Sequence, residues 1–243
     1  MIIQKVTKGI GIPWDAQIEL DAIERQSYLT PDRMRFEKLR IIESKVKYIL
    51  ENGILCNWWL SLLPMSPPTD EIPLRLTYRN LYWHQNRYNV PDPLRGNKPF
   101  SVETPFISTS AGTYERDKIV KTNNPHHAKR TAFRFATDKG RRSGIVFYCY
   151  LFVIGKRSTP QQAFSEELHE LNIYTQYSTW QLEGEITAKL IIPPGQIERA
   201  EIWLQEDIAD SITYHRKLVP SKIVDNKRLY QKPEKYHNIR ELR

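Results

Sequence analysis

Cysteine is nearly absent from this chain: Cys56 and Cys149 are the only two in 243 residues, and both sit in apolar company. Two thiols are too few for a disulfide framework or a four-ligand zinc site, so both read as buried, reduced core residues. His126 and His127 have no third and fourth ligand nearby and do not read as a metal site. Glycine is scarce too, at ten residues, and there is no Walker lysine motif, which argues against Rossmann and P-loop nucleotide sites. Gly9-Ile10-Gly11 begins like a dinucleotide fingerprint, but it lacks the third glycine and a preceding strand, and Pro13 interrupts it. No Cys/His pattern, RNA-recognition motif or helix-turn-helix spacing marks a dedicated nucleic-acid binder. No apolar run approaches the roughly 20 residues of a membrane span. The N-terminus, Met1-Ile2-Ile3-Gln4-Lys5, lacks the apolar core and small-residue cleavage site of a secretory signal. The expectation is a soluble protein acting in a cytoplasm, of the producing or a target cell, without membrane partners.

What is present is a chain able to bury a substantial core: 40% of residues are apolar and 11% aromatic, against general disorder. The net charge of +8 is uneven. Residues 214–243 hold nine Lys/Arg against three Asp/Glu, so most of the basicity belongs to the C-terminal segment. A second basic stretch, Lys129, Arg130, Arg134, Lys139, Arg141 and Arg142, has Asp138 as its only acid. Such patches attract polyanions, and a solvated surface is the equal alternative.

Thr30-Pro31-Asp32 is a helix start, with Thr as N-cap, Pro at the first helical position and an acid in the first turn. Apolar residues then recur at helical spacing until Gly53 offers a left-handed stop, which predicts a helix over 31–52. Residues 15–26 read as a shorter helix and 54–63 as a third apolar segment. The first 65 residues are therefore expected to be a helical appendage. Three prolines within residues 64–68 forbid both helix and central strand, so residues 66–73 are expected to be a linker. Beyond it, residues 74–78, 106–110, 145–154, 184–192 and 198–204 are branched and aromatic runs with strand character. Residues 126–135 and 160–167 are expected helices between them. The catalytic domain is placed at 74–213 and a basic tail at 214–243.

Three blocks in fixed order stand out: Arg79 in Leu-Thr-Tyr-Arg, then Phe106-Ile-Ser108-Thr109-Ser110, then Glu183-Gly184-Glu185 leading into Ile-Ile-Pro-Pro-Gly-Gln-Ile. Residues at i and i+2 share a face in an extended segment, so both carboxylates can address one pocket. Together the blocks resemble the Arg, Ser-Thr-Ser, Glu-x-Glu signature of the ADP-ribosyltransferase toxins, over about residues 74–204. The stretch from Glu185 through Pro193-Pro194 to Trp203 is similar to the catalytic-Glu strand and Ile-Pro-Pro turn of the pertussis toxin catalytic subunit, and the cholera and heat-labile enterotoxins have a similar strand, turn and strand. Ser108 lies 29 residues after Arg79 and 77 before Glu185. The second gap is longer than in the enterotoxins, and an insertion over about 155–177 would account for it.

The resemblance implies an α+β fold, a split β-sandwich flanked by helices, with NAD as co-substrate and no metal. It implies that Arg79, with Tyr78 beside it, grips the NAD phosphates, a bidentate role suited to a guanidinium. Ser108 would hold Glu185, the Ser108-Thr109-Ser110 strand would wall the nicotinamide pocket, and Glu185 would stabilise the ribosyl cation left when nicotinamide departs. Glu183 would orient the acceptor, with Tyr174, Tyr177 and Trp180 as candidate acceptor contacts. His84 in Asn80-Leu-Tyr-Trp-His resembles the enterotoxin stretch that carries a histidine; a surface or turn histidine is the alternative. Glu-x-Glu accompanies arginine modification in this family, which favours a protein acceptor, whereas the basic stretches favour RNA or DNA. NAD hydrolysis alone and a catalytically silent binding module are the remaining readings. An antitoxin, immunity protein or secretion chaperone is the further partner class implied.

Overall fold

The computed structural model describes residues 2–93, 96–111, 125–153, 173–174 and 185–228. Its first element is a strand, β1 (Ile2–Gly11), followed by α1 (Trp14–Glu24), α2 (Pro31–Asn52), β2 (Ile54–Leu55) and α3 (Asn57–Leu62). Then come α4 (Glu71–Arg75), α5 (Tyr78–Asn86), β3 (Pro91–Asp92), β4 (Lys98–Pro99) and β5 (Phe106–Ser110). The remainder are α6 (Pro125–Ala136), β6 (Gly144–Val153), β7 (Ile173–Tyr174), β8 (Glu185–Lys189), β9 (Ile191–Ile192), β10 (Ile197–Trp203), α7 (Gln205–Thr213) and β11 (Lys222–Asp225). The class is α+β. Among the described residues no helix is long and apolar enough to cross a membrane.

Seven strands form one antiparallel sheet in the order β11-β10-β6-β1-β5-β8-β7. β1 pairs with β6 along its whole length, from Ile2 opposite Val153 to Gly11 opposite Gly144. Against β5, in contrast, it pairs at one position among the described residues, Thr7 opposite Ser110, where the Thr7 hydroxyl also donates to the Ser110 carbonyl at 3.3 Å. Among the described residues the sheet is thus two well-paired halves joined at Thr7 and Ser110 and parted from Gly9 onward.

Alternation along β6 assigns the two faces. Ile145, Phe147, Cys149 and Leu151 join a core with Ile41, Ile42, Val46 and Leu50 of α2, while Val146 and Tyr148 pack with Ala132 and Ala136 of α6 and Ile208 of α7. Helix α2 has the bounds its sequence predicts: Thr30 accepts from the Arg33 amide at 3.3 Å, and Gly53 closes the helix at φ +90°. The buried Lys38 ammonium ties α2 to Glu24 of α1 at 2.7 Å and to Glu206 of α7 at 3.3 Å. Helix α6 lies directly on β1 and β6, because a Cβ on Gly9 would stand 2.0 Å from the Ala132 carbonyl oxygen and one on Gly144 2.3 Å from that of Ala136. Glycine at both positions is what permits that approach.

Four expectations are corrected here. Residues 1–65 are not a helical appendage: β1 is a central strand of the sheet, and Val6, Ile42, Val46, Ile54 and Trp58 share one core with Ile145, Ile186 and Ile202. No domain boundary therefore falls at 66–73. Residues 74–78 are not a strand but the end of α4 and the start of α5, because the Thr77 hydroxyl accepts from the Asn80 amide at 3.3 Å and caps a new helix. Residues 222–225, assigned to the basic tail, form the edge strand β11 against β10. The expected helix at 160–167 lies outside the described residues.

Candidate active site

Strands β5 and β8 pair from Phe106 opposite Lys189 to Ser110 opposite Glu185, which puts Ser108 diagonal to Glu185 on one face. The Ser108 hydroxyl donates to Glu185 Oε1 at 2.8 Å. Thr109 is turned into the pairing and donates to the Ile186 carbonyl at 2.6 Å. Ser110 is buried at the junction with β1. Glu185 itself is buried, so its carboxylate depends on such partners to offset lost hydration.

Helix α5 supplies the next group. Its buried face carries Leu81, His84 and Gln85, spaced as one side of a helix, and Gln85 Nε2 donates to the Thr187 hydroxyl of β8 at 3.3 Å. His84 Nε2 stands 2.8 Å from Ser108 Oγ, and His84 Nδ1 stands 2.8 Å from Thr104 Oγ1. Tyr88 meets the imidazole edge-on at 5.5 Å between ring centroids, and Phe106 lies against it at 5.6 Å. Burial, with the nearby Lys8 charge, pushes the imidazole down to about 3, so it is neutral at ordinary pH.

Lys8 lies on β1 beside the Thr7–Ser110 junction. Burial pushes its ammonium down to about 8, against the pull of Glu185, the charged group acting on it most strongly. A cavity of about 420 Å³ opens where β1 and β5 part, lined among others by Thr7, Lys8, His84, Ser108, Glu185 and Phe135. Phe135 of α6 is 65% exposed at its wall. Cys56 also borders the cavity, but burial raises its thiol to about 11, and Cys149 is raised likewise. Both cysteines are free and buried, hence poor nucleophiles.

Ser108, Thr109, Ser110 and Glu185 are thus brought together as the sequence suggested, and His84 is a buried partner of Ser108 rather than a surface or turn residue. Arg79 and Tyr78 are not part of this cavity. Both are exposed on α5, and Arg79 lines a separate surface hollow with Glu71, Arg75 and Asp92. The reason is helical: five residues carry Arg79 about 140° around the axis from His84. The basic group on the first strand is instead Lys8, which sequence reasoning missed. The available signal was a stretch of Ile, Val and Thr without Pro, Asn or Asp, ending in two glycines two apart. Glu183, Tyr177 and Trp180 lie outside the described residues. Tyr174 falls on the two-residue strand β7. Among the described residues, no group of three or more His, Cys, Asp or Glu is arranged to hold a metal.

No protein-family model matches the chain, and no curated protein is significantly similar to it. Among solved structures it is similar to EcPltA at 12% identity and a TM-score of 0.38, over 76% of this chain and 82% of that one. A likeness at that level leaves function to be argued from the site itself.

Proposed function

We propose that this protein is a mono-ADP-ribosyltransferase that uses NAD as donor and a macromolecule as acceptor. The observation that carries the reading is the 2.8 Å bond from Ser108 to the buried Glu185 at the opening between β1 and β5. It is the contact the toxin-like blocks lead one to expect, and it lies in a cavity that also holds a cation.

The residues present suit a dinucleotide. The cavity of about 420 Å³ is within the usual range for small-molecule sites. The Lys8 ammonium suits a phosphate, Tyr88, Phe106 and Phe135 offer ring surface to bases, and the Glu185 carboxylate that Ser108 holds suits ribose hydroxyls. When bound, NAD supplies the donor sugar and a leaving group that departs with the bonding electrons. The role of Glu185 follows from electrostatics. Its fixed negative charge gains most when the ribose becomes positive, so it favours the transition state over the ground state. Ser108 keeps it from rotating away, and Lys8 holds phosphate in place of the Arg79 first expected.

The acceptor is read as a protein arginine, on the Glu183-Gly184-Glu185 pair, with Glu183 orienting the incoming guanidinium and Tyr177 and Trp180 as contacts. A second reading, nucleic acid, is favoured by the exposed Arg130, Arg134, Lys139, Arg141 and Arg142 around α6, the helix that also carries Phe135 to the cavity. Lys129 of that stretch is engaged by Glu201 at 2.9 Å. The test is incubation of the purified protein with labelled NAD and a cell lysate split into protein and nucleic-acid fractions. Label in protein supports the first reading and label in RNA or DNA the second. NAD left intact in both fractions would overturn the transferase assignment.

A further inference from the structure

We propose that Thr104 is a positioning residue that fixes the proton of His84 on Nε2 and thereby aims the Ser108 hydroxyl at Glu185. The consequence for catalysis rests on the transferase reading above; the tautomer does not.

The argument is a count of protons along one chain of contacts. The Phe106 amide donates to Thr104 Oγ1 at 3.2 Å, which uses an acceptor position of that hydroxyl and leaves its hydrogen free to donate. The neighbour in line is His84 Nδ1 at 2.8 Å. If Nδ1 accepts, a neutral imidazole carries its proton on Nε2 and donates it to Ser108 Oγ at 2.8 Å. Ser108 then has one hydrogen left, and it goes to Glu185 Oε1 at 2.8 Å. All four contacts receive one proton each.

The other tautomer fails this count. With the proton on Nδ1, Nε2 must accept from Ser108, and Glu185 Oε1 is left facing an oxygen with no hydrogen between them. The Thr104 hydrogen also loses its acceptor among the described residues. Reversing the whole chain would require a protonated Glu185 beside the Lys8 ammonium. The groups facing His84 are consistent with a neutral ring: Lys8 from β1 disfavours a second proton on it, and Tyr88 and Phe106 pack against it.

Thr104 is well placed to impose this direction because its surroundings hold it on several sides. It is 1% exposed, its carbonyl accepts from the Trp58 amide at 3.1 Å, and Pro105 follows it into β5. The sequence gives little sign of the role, since a threonine before proline reads as an ordinary strand entry.

The test uses full-length protein labelled with 15N-histidine, with the His84 signal identified by its loss in His84→Asn. Nitrogen chemical shifts at neutral pH are expected to show one tautomer, protonated at Nε2. In Thr104→Val that signature should be lost and kcat for NAD cleavage should fall about tenfold, with KM changed less than about twofold, the scale of one misdirected hydrogen bond. Thr104→Ser, which restores the hydroxyl, should recover both. A wild-type His84 protonated on Nδ1 overturns the inference even if Thr104→Val does not fold. So does a folded Thr104→Val that keeps the Nε2 proton and the wild-type kcat. If the wild type does not cleave NAD, the transferase reading fails and the tautomer of wild type and variant alone decides this one.

Discussion

Removing the Ser108 hydroxyl isolates the contact on which the site depends. In Ser108→Ala, Glu185 Oε1 loses the donor now 2.8 Å away, and His84 Nε2 loses its only acceptor among the described residues. The first loss concerns a hydrogen bond to a charged group, worth about 1.5–3 kcal/mol, and if Glu185 acts in the transition state it should appear as roughly a 10- to 150-fold drop in kcat. The second leaves a buried donor unpaired, which costs about 1–3 kcal/mol of stability and lowers Tm by about 2–4 °C for each kcal/mol. The assay is nicotinamide release from NAD over a range of concentrations, beside a thermal melt of the same preparation. A variant with wild-type kcat and wild-type Tm would refute the reasoning on both counts. Arg79→Ala is the contrasting control: this side chain is exposed on the far side of α5, and its loss should change kcat/KM less than about twofold.

Three further outcomes follow from particular residues. Lys8→Met should raise KM for NAD by about tenfold with a smaller effect on kcat, as expected for a lost charge-assisted phosphate contact, and the wild-type KM should itself rise above pH 8, where Lys8 loses its proton; a flat KM to pH 9 counts against Lys8 as the anion site. His84 is depressed from 6.5 to about 3, so the unfolded chain binds a proton in that window while the folded one does not. Stability should therefore fall as pH drops from 6.5 towards 3, and melts of His84→Gln across this range should show a shallower slope than wild type. Gly9→Ala would place a Cβ 2.0 Å from the Ala132 carbonyl oxygen, a backbone atom that can yield only if α6 moves off β1. A loss of about 1–3 kcal/mol is expected in denaturant titration, and an unchanged midpoint would mean that α6 is not held that close.

The elements with strong local signals were legible from the sequence. Helix α2 carries its own cap, N1 proline and terminating glycine, so its limits at Pro31 and Asn52 follow from chemistry within a few residues of each end. β5 falls on its expected bounds, and β8 lies within the expected strand of 184–192 before its Pro-Pro turn; Ser108 of the one and Glu185 of the other face the cavity. Strand β1 was obscured because tertiary demands override its alternation. Lys5 is placed to pair with Glu198 at 2.8 Å, Lys8 to reach the cavity, and Gly9 to admit α6, so none of the three reads as strand. Residues 74–78 failed in the opposite direction. Their branched and aromatic content suggested a strand, yet Thr77 caps a helix, and that helix brings His84 to Ser108 while turning Arg79 outward. The serine and glutamate of the site, and His84 as a candidate, could thus be read from the sequence, whereas its cation and the placing of His84 on Ser108 needed the arrangement of β1 and α5 in space.

The central claim is that Glu185 does chemistry on NAD, and the most direct measurement is nicotinamide release by purified protein, wild type beside Glu185→Gln, with both shown to be folded by circular dichroism and melting. The substitution keeps the size and an acceptor for Ser108 but removes the charge. The account predicts NAD cleavage by the wild type, a loss of at least about a hundredfold in Glu185→Gln, and NAD affinity retained within a few-fold. Cleavage undiminished in the variant, or none by the wild type, would contradict it.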